Sequence, residues 1–471
     1  MIRKTPVARS FEWRSADELT SWADSAGITD VTLTGGEPLL QPRFQRETQS
    51  FPVWQGGFQM ESVISEKDRQ RLRSLAQKQL EYAHSPRNEE ILRMWGALAE
   101  GRRETPTVRL LFSNFPDEVI NPRMECEGDT ARGIEYSLLS RLVGRELFDD
   151  DTPIADTYDI GRAAWASPFG LRAKITRTEH GKGFHIDPVV TDLEEEGDRL
   201  KGGGFRYSAE AEQRQTELVG DLFGDILPPR LVQGNLTGAI TNPLVHLMGM
   251  ENLYLAIYDT PEALHRVMDE ATRVYEDFYD YLEREKLLLP MHGISPVSQE
   301  SFAFNHELPT DRAEKTTDVW GFLESQETTA VSPETFGEFV FPYQDRLVKR
   351  FGLLSYGCCE RVDAIWPDYL SKWKNLRKLS VSPFNNEMQV GEYLRGTNVV
   401  YYSKPRAEFV TNRGPLDEDA LRAYYKMVFT AASGCLLEVA QREVGTIYGD
   451  WERGRRYVEI TKECVAEYWQ P

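Results

Sequence analysis

The chain of 471 residues predicts an α/β protein with a parallel sheet, read as a (β/α)8 TIM barrel with an amino-terminal helical arm and extension. Three observations predict this. Four strand–helix units follow one another near the carboxyl end, and such alternation implies parallel strands joined by right-handed crossovers. Helix-start signals stand where the alternation needs them. The length exceeds the roughly 100–200 residues of a typical domain, yet α/β barrels often run longer as one unit. On these residues alone an open doubly wound sheet remains the alternative.

The four units are read in order. Ser332-Pro333-Glu334 starts a helix to about Arg350, with Ser as N-cap and Pro in the first turn. Leu353–Gly357 is a short buried strand, followed by a helix from Asp363 to Trp373. The strand Arg377–Val381 leads to a helix from Met388 to Leu394, and Val399–Tyr402 to a helix opened by Asp417 and running to about Ala431. Leu436–Val439 and a helix from Asp450 to Glu467 complete the set. Earlier in the chain, strands are expected at 108–113, 154–160, 231–240, 287–294 and 319–323. Thr260-Pro261-Glu262 opens a long helix to about Lys286, and Lys201–Gly204 reads as a loop. The chain divides into an extension of unclear role (1–60), a helical arm (61–104) with Leu72, Leu75 and Leu80 on its apolar side, and the barrel (105–471).

The formal net charge of −20 disfavours sequence-independent nucleic-acid binding, which needs a basic surface, and disfavours an anionic membrane. A small-molecule substrate fits better, and it can be anionic if local basic groups dominate a pocket. Five cysteines, an odd and sparse set, do not read as a disulfide framework. Reduced thiols imply the cytoplasm. The first residues lack the apolar core of a signal peptide, and no run of 18 apolar residues suggests a membrane span.

Several segments carry a likeness. Asn242–Leu253 (NPLVHLMGMENL), Ser355–Glu360 (SYGCCE), Asn375–Pro383 (NLRKLSVSP), Ser403-Lys404-Pro405 and Gly449–Arg453 (GDWER) together resemble stretches of the uroporphyrinogen-decarboxylase-like superfamily, over about residues 61–471. The resemblance implies a (β/α)8 barrel, with either cofactor-free porphyrinogen decarboxylation or methyl transfer to or from a corrinoid or thiol, often with zinc. It also implies a homodimer. The basic Arg-Gln-Ala-Gly-Arg-Tyr segment that binds the carboxylates of a porphyrinogen is missing. The His-x-Cys of the zinc-dependent methyltransferases is replaced by Tyr356-Gly357-Cys358, which keeps a thiol and loses the imidazole.

Catalytic groups of such barrels stand at the carboxyl ends of strands. That places Tyr356 and Glu360 after one strand and Lys404 after another as candidate catalytic groups. Glu438 joins them, since a lone carboxylate in an apolar strand is costly unless paired or functional. Lys404 is expected to bind a substrate carboxylate or to pair with Glu438. Side chains alternate along a strand, so Cys358 and Glu360 should share an environment and Cys359 the opposite one. Cys358, Cys359 and Cys435 are the candidate thiolates for zinc, although Cys435 stands at the amino end of its strand. His246, Trp320, Glu324 and Asn235 are candidate substrate-binding residues. Glu270, Glu285 and His306 match a spacing of related O-demethylases, but one helix would hold the two glutamates about 22 Å apart. His180 and His185 bracket an expected exposed hairpin. Residues 31–41 resemble the Gly-Gly-Glu segment of radical S-adenosylmethionine enzymes, yet no cysteine precedes Cys126 to hold a cluster.

These readings lead to a methyltransferase acting between a small methylated substrate and a thiol or a corrinoid. The corrinoid would sit on a separate partner protein, because no Asp-x-His-x-x-Gly segment is present. The alternatives are a cofactor-free decarboxylase or lyase acting on a small carboxylate, and a non-catalytic barrel that binds a ligand.

Overall fold

The computed structural model describes residues 64–177, 184–234 and 236–470. The 1–60 extension with its 31–41 segment, His180 and Asn235 lie outside the described residues.

The arm is two helices, α1 (Glu66–Ala83) and α2 (Pro86–Ala99). Each begins where a serine side chain takes an otherwise orphaned N–H: Ser65 from Asp68, and Ser85 from Asn88 with Pro86 in the first turn. Leu72 and Leu75 are buried as the arm's apolar spacing predicts, and Leu80 is half-buried. The second helix of the arm carries Trp95, which is fully buried. Its indole N–H donates to the Asp151 carbonyl, and its ring meets Phe302 edge-on.

Seven strands form one parallel sheet. They are β1 (Thr107–Leu110), β8 (Leu236–Thr237), β9 (Trp320–Leu323), β10 (Leu353–Tyr356), β11 (Leu376–Val381), β12 (Val400–Ser403) and β13 (Leu436–Gln441). The order is β1-β13-β12-β11-β10-β9-β8. Strand order is therefore sequential, with the first strand beside the last. A further parallel pair joins β2 (Tyr158–Gly161) to β7 (Pro229–Val232), and only residues 233–235 separate β7 from β8. All six residues of β13 are buried, as expected of a parallel strand covered on both faces. The alternation of side chains is visible in β1. Leu110 faces the helix α12 (Trp451–Tyr468), where a Cβ at Gly454 would stand 2.9 Å from it, and Arg109 points to the other side.

Most of the remaining predicted elements form close to where local signals put them. Ser332, Asp417 and Asp450 each accept an N–H at a helix start. The long helix α7 runs Pro261–Arg284. Four expectations need correction. The helix to Arg350 is broken into α8 (Pro333–Phe339) and α9 (Phe341–Val348), because Pro342 has no N–H to continue the ladder. The helix Asp363–Trp373 shrinks to single turns at Val362–Ile365 and Leu370–Lys372, around Pro367. Gly204, read as loop, begins β6 (Gly204–Tyr207), which pairs antiparallel with β3 (Ala164–Ser167); β4 (Lys174–Arg177) and β5 (Phe184–Asp187) form a second antiparallel pair. Residues 287–294 form no strand. They lead into a tight hairpin, 295–303, closed by the bridge between Pro296 and Phe302. An apolar run alone does not distinguish a strand from buried irregular chain. Among the described residues, no helix is long and apolar enough to cross a membrane.

One close approach sets the spacing of two helices. The helix α10 (Glu387–Leu394) meets the end of α11 (Glu418–Ala431) at Gly391, where a Cβ would stand 1.9 Å from the Ala431 carbonyl oxygen. Gly391→Ala is expected to push the two helices apart at a cost of about 1–3 kcal/mol. The measurement is urea denaturation, and a variant with an unchanged midpoint would contradict this contact.

Candidate active site

The candidate site is built by the loops that leave β9 and β10. After Leu323 come Glu324 and Ser325, then a short turn that carries Glu327. After Tyr356 the chain turns at Gly357, whose φ of 98° suits glycine, and presents Cys358, Cys359 and Glu360. Glu360 ties the two loops together. One carboxylate oxygen accepts the Ser325 N–H at 2.9 Å, and the other accepts the Cys358 N–H at 2.6 Å. Tyr356 hydroxyl lies 3.0 Å from the Ser325 hydroxyl. Glu327 accepts from Thr241 Oγ1 at 2.8 Å and from Asn242 Nδ2 at 2.7 Å, both at the start of α5 (Thr241–Met248).

Glu324 is the least satisfied of the three acids. It is fully buried; Oε2 accepts the Gln326 N–H at 3.0 Å, and Oε1 has no hydrogen-bond partner. Burial holds its pKa well above the usual carboxyl value, and the neighbouring charges of Glu327, Glu360 and Cys358 push the same way. Burial also raises Glu327 and Glu360. The Cys358 thiol is held well up by its contact with Cys359 and by burial, with the sulfur atoms 3.7 Å apart. It is a protonated thiol at neutral pH, which is a poor nucleophile. The alternation expected of this segment is present: Cys358 and Glu360 are buried, and Cys359 is partly exposed.

Lys404, after β12, reaches the same place. Its ammonium donates to the Cys358 carbonyl at 2.9 Å and to Gln299 Oε1 at 2.7 Å. It does not pair with Glu438. That carboxylate sits one layer deeper in the sheet, fully buried, accepting from Arg109 at 2.7 Å, Lys378 at 3.0 Å and Ser301 Oγ at 2.9 Å. Burial works against the Glu438 charge, but Lys378 and Arg109 outweigh it and keep its pKa below the usual value. Arg109 and Lys378 were missed by sequence reasoning. A signal was there for Arg109, the one charge in β1; Lys378 stands beside the charged Arg377 in β11 and is set apart only by its burial.

The structure thus brings Tyr356, Cys358, Cys359, Glu360, Glu324 and Lys404 together. Three other candidates lie elsewhere. Cys435 precedes β13 at the amino end of the sheet, donates to the Gly391 carbonyl, and has its pKa pushed up to about 11 by burial. Trp320 begins β9, four residues before Glu324, and lines a cavity of about 100 Å³ with Trp95, Phe304 and Lys378. His246 lies further along α5, half-buried, with its pKa pushed down to about 4 by burial. Glu270 is engaged with Arg273 on α7, and His306 with the Ala99 carbonyl. His185 is exposed on β5 beside Asp187.

The donor set does not suit zinc. Among the described residues, no three or more His, Cys, Asp or Glu side chains are arranged to hold a metal ion. Both Glu360 oxygens are already taken by N–H groups.

A solved structure of a methyltransferase from Methanosarcina mazei is similar to this chain at 13% identity and a TM-score of 0.45, covering 79% of this chain and 98% of that one. No family model matches the sequence, and none of the curated proteins does.

Proposed function

We propose that the chain is a methyltransferase of the uroporphyrinogen-decarboxylase-like superfamily, with its sheet closed as a (β/α)8 barrel and its chemistry at the carboxyl ends of β9, β10 and β12. Closure is supported by the sequential strand order, the pairing of β1 with β13, and the link from Asp151, ahead of β2, back to Val108 of β1. The reaction moves a methyl group between a small methylated substrate and a thiol, or a corrinoid carried by a separate protein.

The observation that carries the reading is Glu324: a carboxyl kept neutral by burial, with one oxygen free of partners, beside two further acids and a thiol. Demethylation breaks the bond between the methyl carbon and its oxygen, nitrogen or sulfur, and the electron pair stays on that heteroatom. The heteroatom then needs a proton, which a neutral buried carboxyl supplies. The methyl carbon bonds to the acceptor. When the acceptor is a thiol, the proton it loses restores Glu324. Lys404 orients the substrate.

The test offers the purified protein a panel of small O-, N- and S-methylated compounds with 2-mercaptoethanol as acceptor and follows the methyl thioether by mass spectrometry. Thioether formation faster than the protein-free blank is expected. The same proton donor serves a decarboxylase, where a carbanion takes the proton and Lys404 holds the carboxylate. Carbon dioxide release from small carboxylates, with no thioether formed, would replace the methyl-transfer reading by that one.

A further inference from the structure

The hairpin 295–303 lies against the polar inner residues of the sheet. Its strands are joined by the Val297 N–H to the Ser301 carbonyl and the Ala303 N–H to the Ser295 carbonyl, and its turn is closed by the Ser301 N–H to the Ser298 carbonyl at 2.8 Å. The two central residues, Gln299 and Glu300, have φ of 52° and 59°. A two-residue turn with both centres left-handed selects Asn and Gly. Neither is present. The turn does not explain a glutamine here, but its side chain does.

Gln299 is almost fully buried. Its Oε1 accepts from the Lys404 ammonium at 2.7 Å, and its main-chain carbonyl accepts the Tyr402 hydroxyl at 2.6 Å. Ser301, two residues on, bonds Glu438 and Lys378 and anchors the hairpin in the deeper ion cluster. The tip is therefore held from below while its amide holds Lys404 from one side. The Cys358 carbonyl holds Lys404 from the other. An ammonium has three donors, so two fixed acceptors leave one N–H with a defined direction.

We propose that Gln299 is a positioning residue of the candidate site. It aims the remaining N–H of Lys404 at a carboxylate of the substrate, so the methylated substrate is a small carboxylic acid. This rests on the site assignment above and adds the substrate class. A shorter side chain at position 299 cannot reach Lys404, and asparagine would suit the turn better than glutamine does. The two effects of Gln299→Asn therefore oppose each other, which separates positioning from a purely structural role.

The experiment uses acetate as the probe and the partly exposed Cys359 as the reporter. Alkylation of Cys359 by N-ethylmaleimide is followed by peptide mass spectrometry over increasing acetate. Acetate is expected to protect Cys359 in the unaltered protein and not in Lys404→Met. In Gln299→Asn and Gln299→Ala, half-protection should need about tenfold more acetate, the loss expected from one charged hydrogen bond. Gln299→Asn should at the same time melt no lower than the unaltered protein. No protection in the unaltered protein, equal protection in Lys404→Met, or an unchanged acetate requirement in Gln299→Asn overturns the proposal. Acetate protection that depends on Gln299, in a protein that forms no thioether, would retain this inference and remove methyl transfer. Thioether formation with no acetate effect would do the reverse.

Discussion

Glu438→Ala is expected to destabilise the protein by about 3–5 kcal/mol, the cost of leaving buried charges without their partner. Glu438 has no solvent exposure, and it balances Arg109 and Lys378 within 3.0 Å. Both cations also lie over the Trp95 ring, at 5.2 and 5.3 Å, so neither can turn to water without disturbing the arm. Urea denaturation provides the measurement, with Glu438→Gln as the isosteric control. Replacing all three charges together by apolar residues of similar volume should recover much of the loss, because the desolvation cost disappears with the charges. The sign with pH follows from the lowered pKa of Glu438. Its stabilising contribution is present above the usual carboxyl value of 4.5 and is lost as pH falls through the lower folded value. Glu438→Gln should remove that acid limb. A loss under about 1 kcal/mol in Glu438→Ala would mean that the cluster behaves as a hydrated surface pair, and the buried arrangement would be wrong.

Glu324→Gln is expected to slow thioether formation by about a hundredfold to ten-thousandfold, the range for removing one general acid. The amide keeps the shape and can still accept the Gln326 N–H, so the fold should survive. Stability should respond in the opposite sense to Glu438. The folded-state pKa of Glu324 is raised, so between the usual 4.5 and that higher value the folded protein binds more protons than the unfolded chain. Stability therefore falls as pH rises through that window. An amide in its place cannot titrate, and the variant should lose this slope. Urea midpoints taken from pH 4.5 upward read the difference. An identical slope in the two proteins would mean that Glu324 ionises normally, and its role as proton donor would be abandoned.

The two acids were both legible in the sequence as carboxylates set in apolar strands or at their ends, yet the structure gives them different work. Glu438 lies mid-strand, where its neighbours across the sheet are other strands, and it finds cations there. Glu324 lies one residue beyond β9, where the neighbours are loops, and it finds two more acids and a thiol. Glu327 carried no comparable local signal. Its partners Thr241 and Asn242 are more than 80 positions away, and only folding brings them within 2.8 Å. The resemblance segment around His246 contributes Asn242 at its start, with Thr241 just ahead of it; the histidine itself lies further along α5.

What the sequence by itself determined is local: where helices begin, where most of the strands of the carboxyl-terminal half lie, and which charges stand in places too dry to be left alone. Caps at Ser332, Asp417 and Asp450 depend on bonds spanning three residues, so they can be read from a few neighbouring positions. Tertiary structure alone decided who pairs with whom. The hairpin 295–303 reads as an ordinary stretch of chain, and nothing local says that it will lie against the sheet's inner face and claim Lys404 through Gln299. Burial makes pairing compulsory, because an unmatched charge or amide away from water is costly. Chain topology then selects the partner from among distant segments.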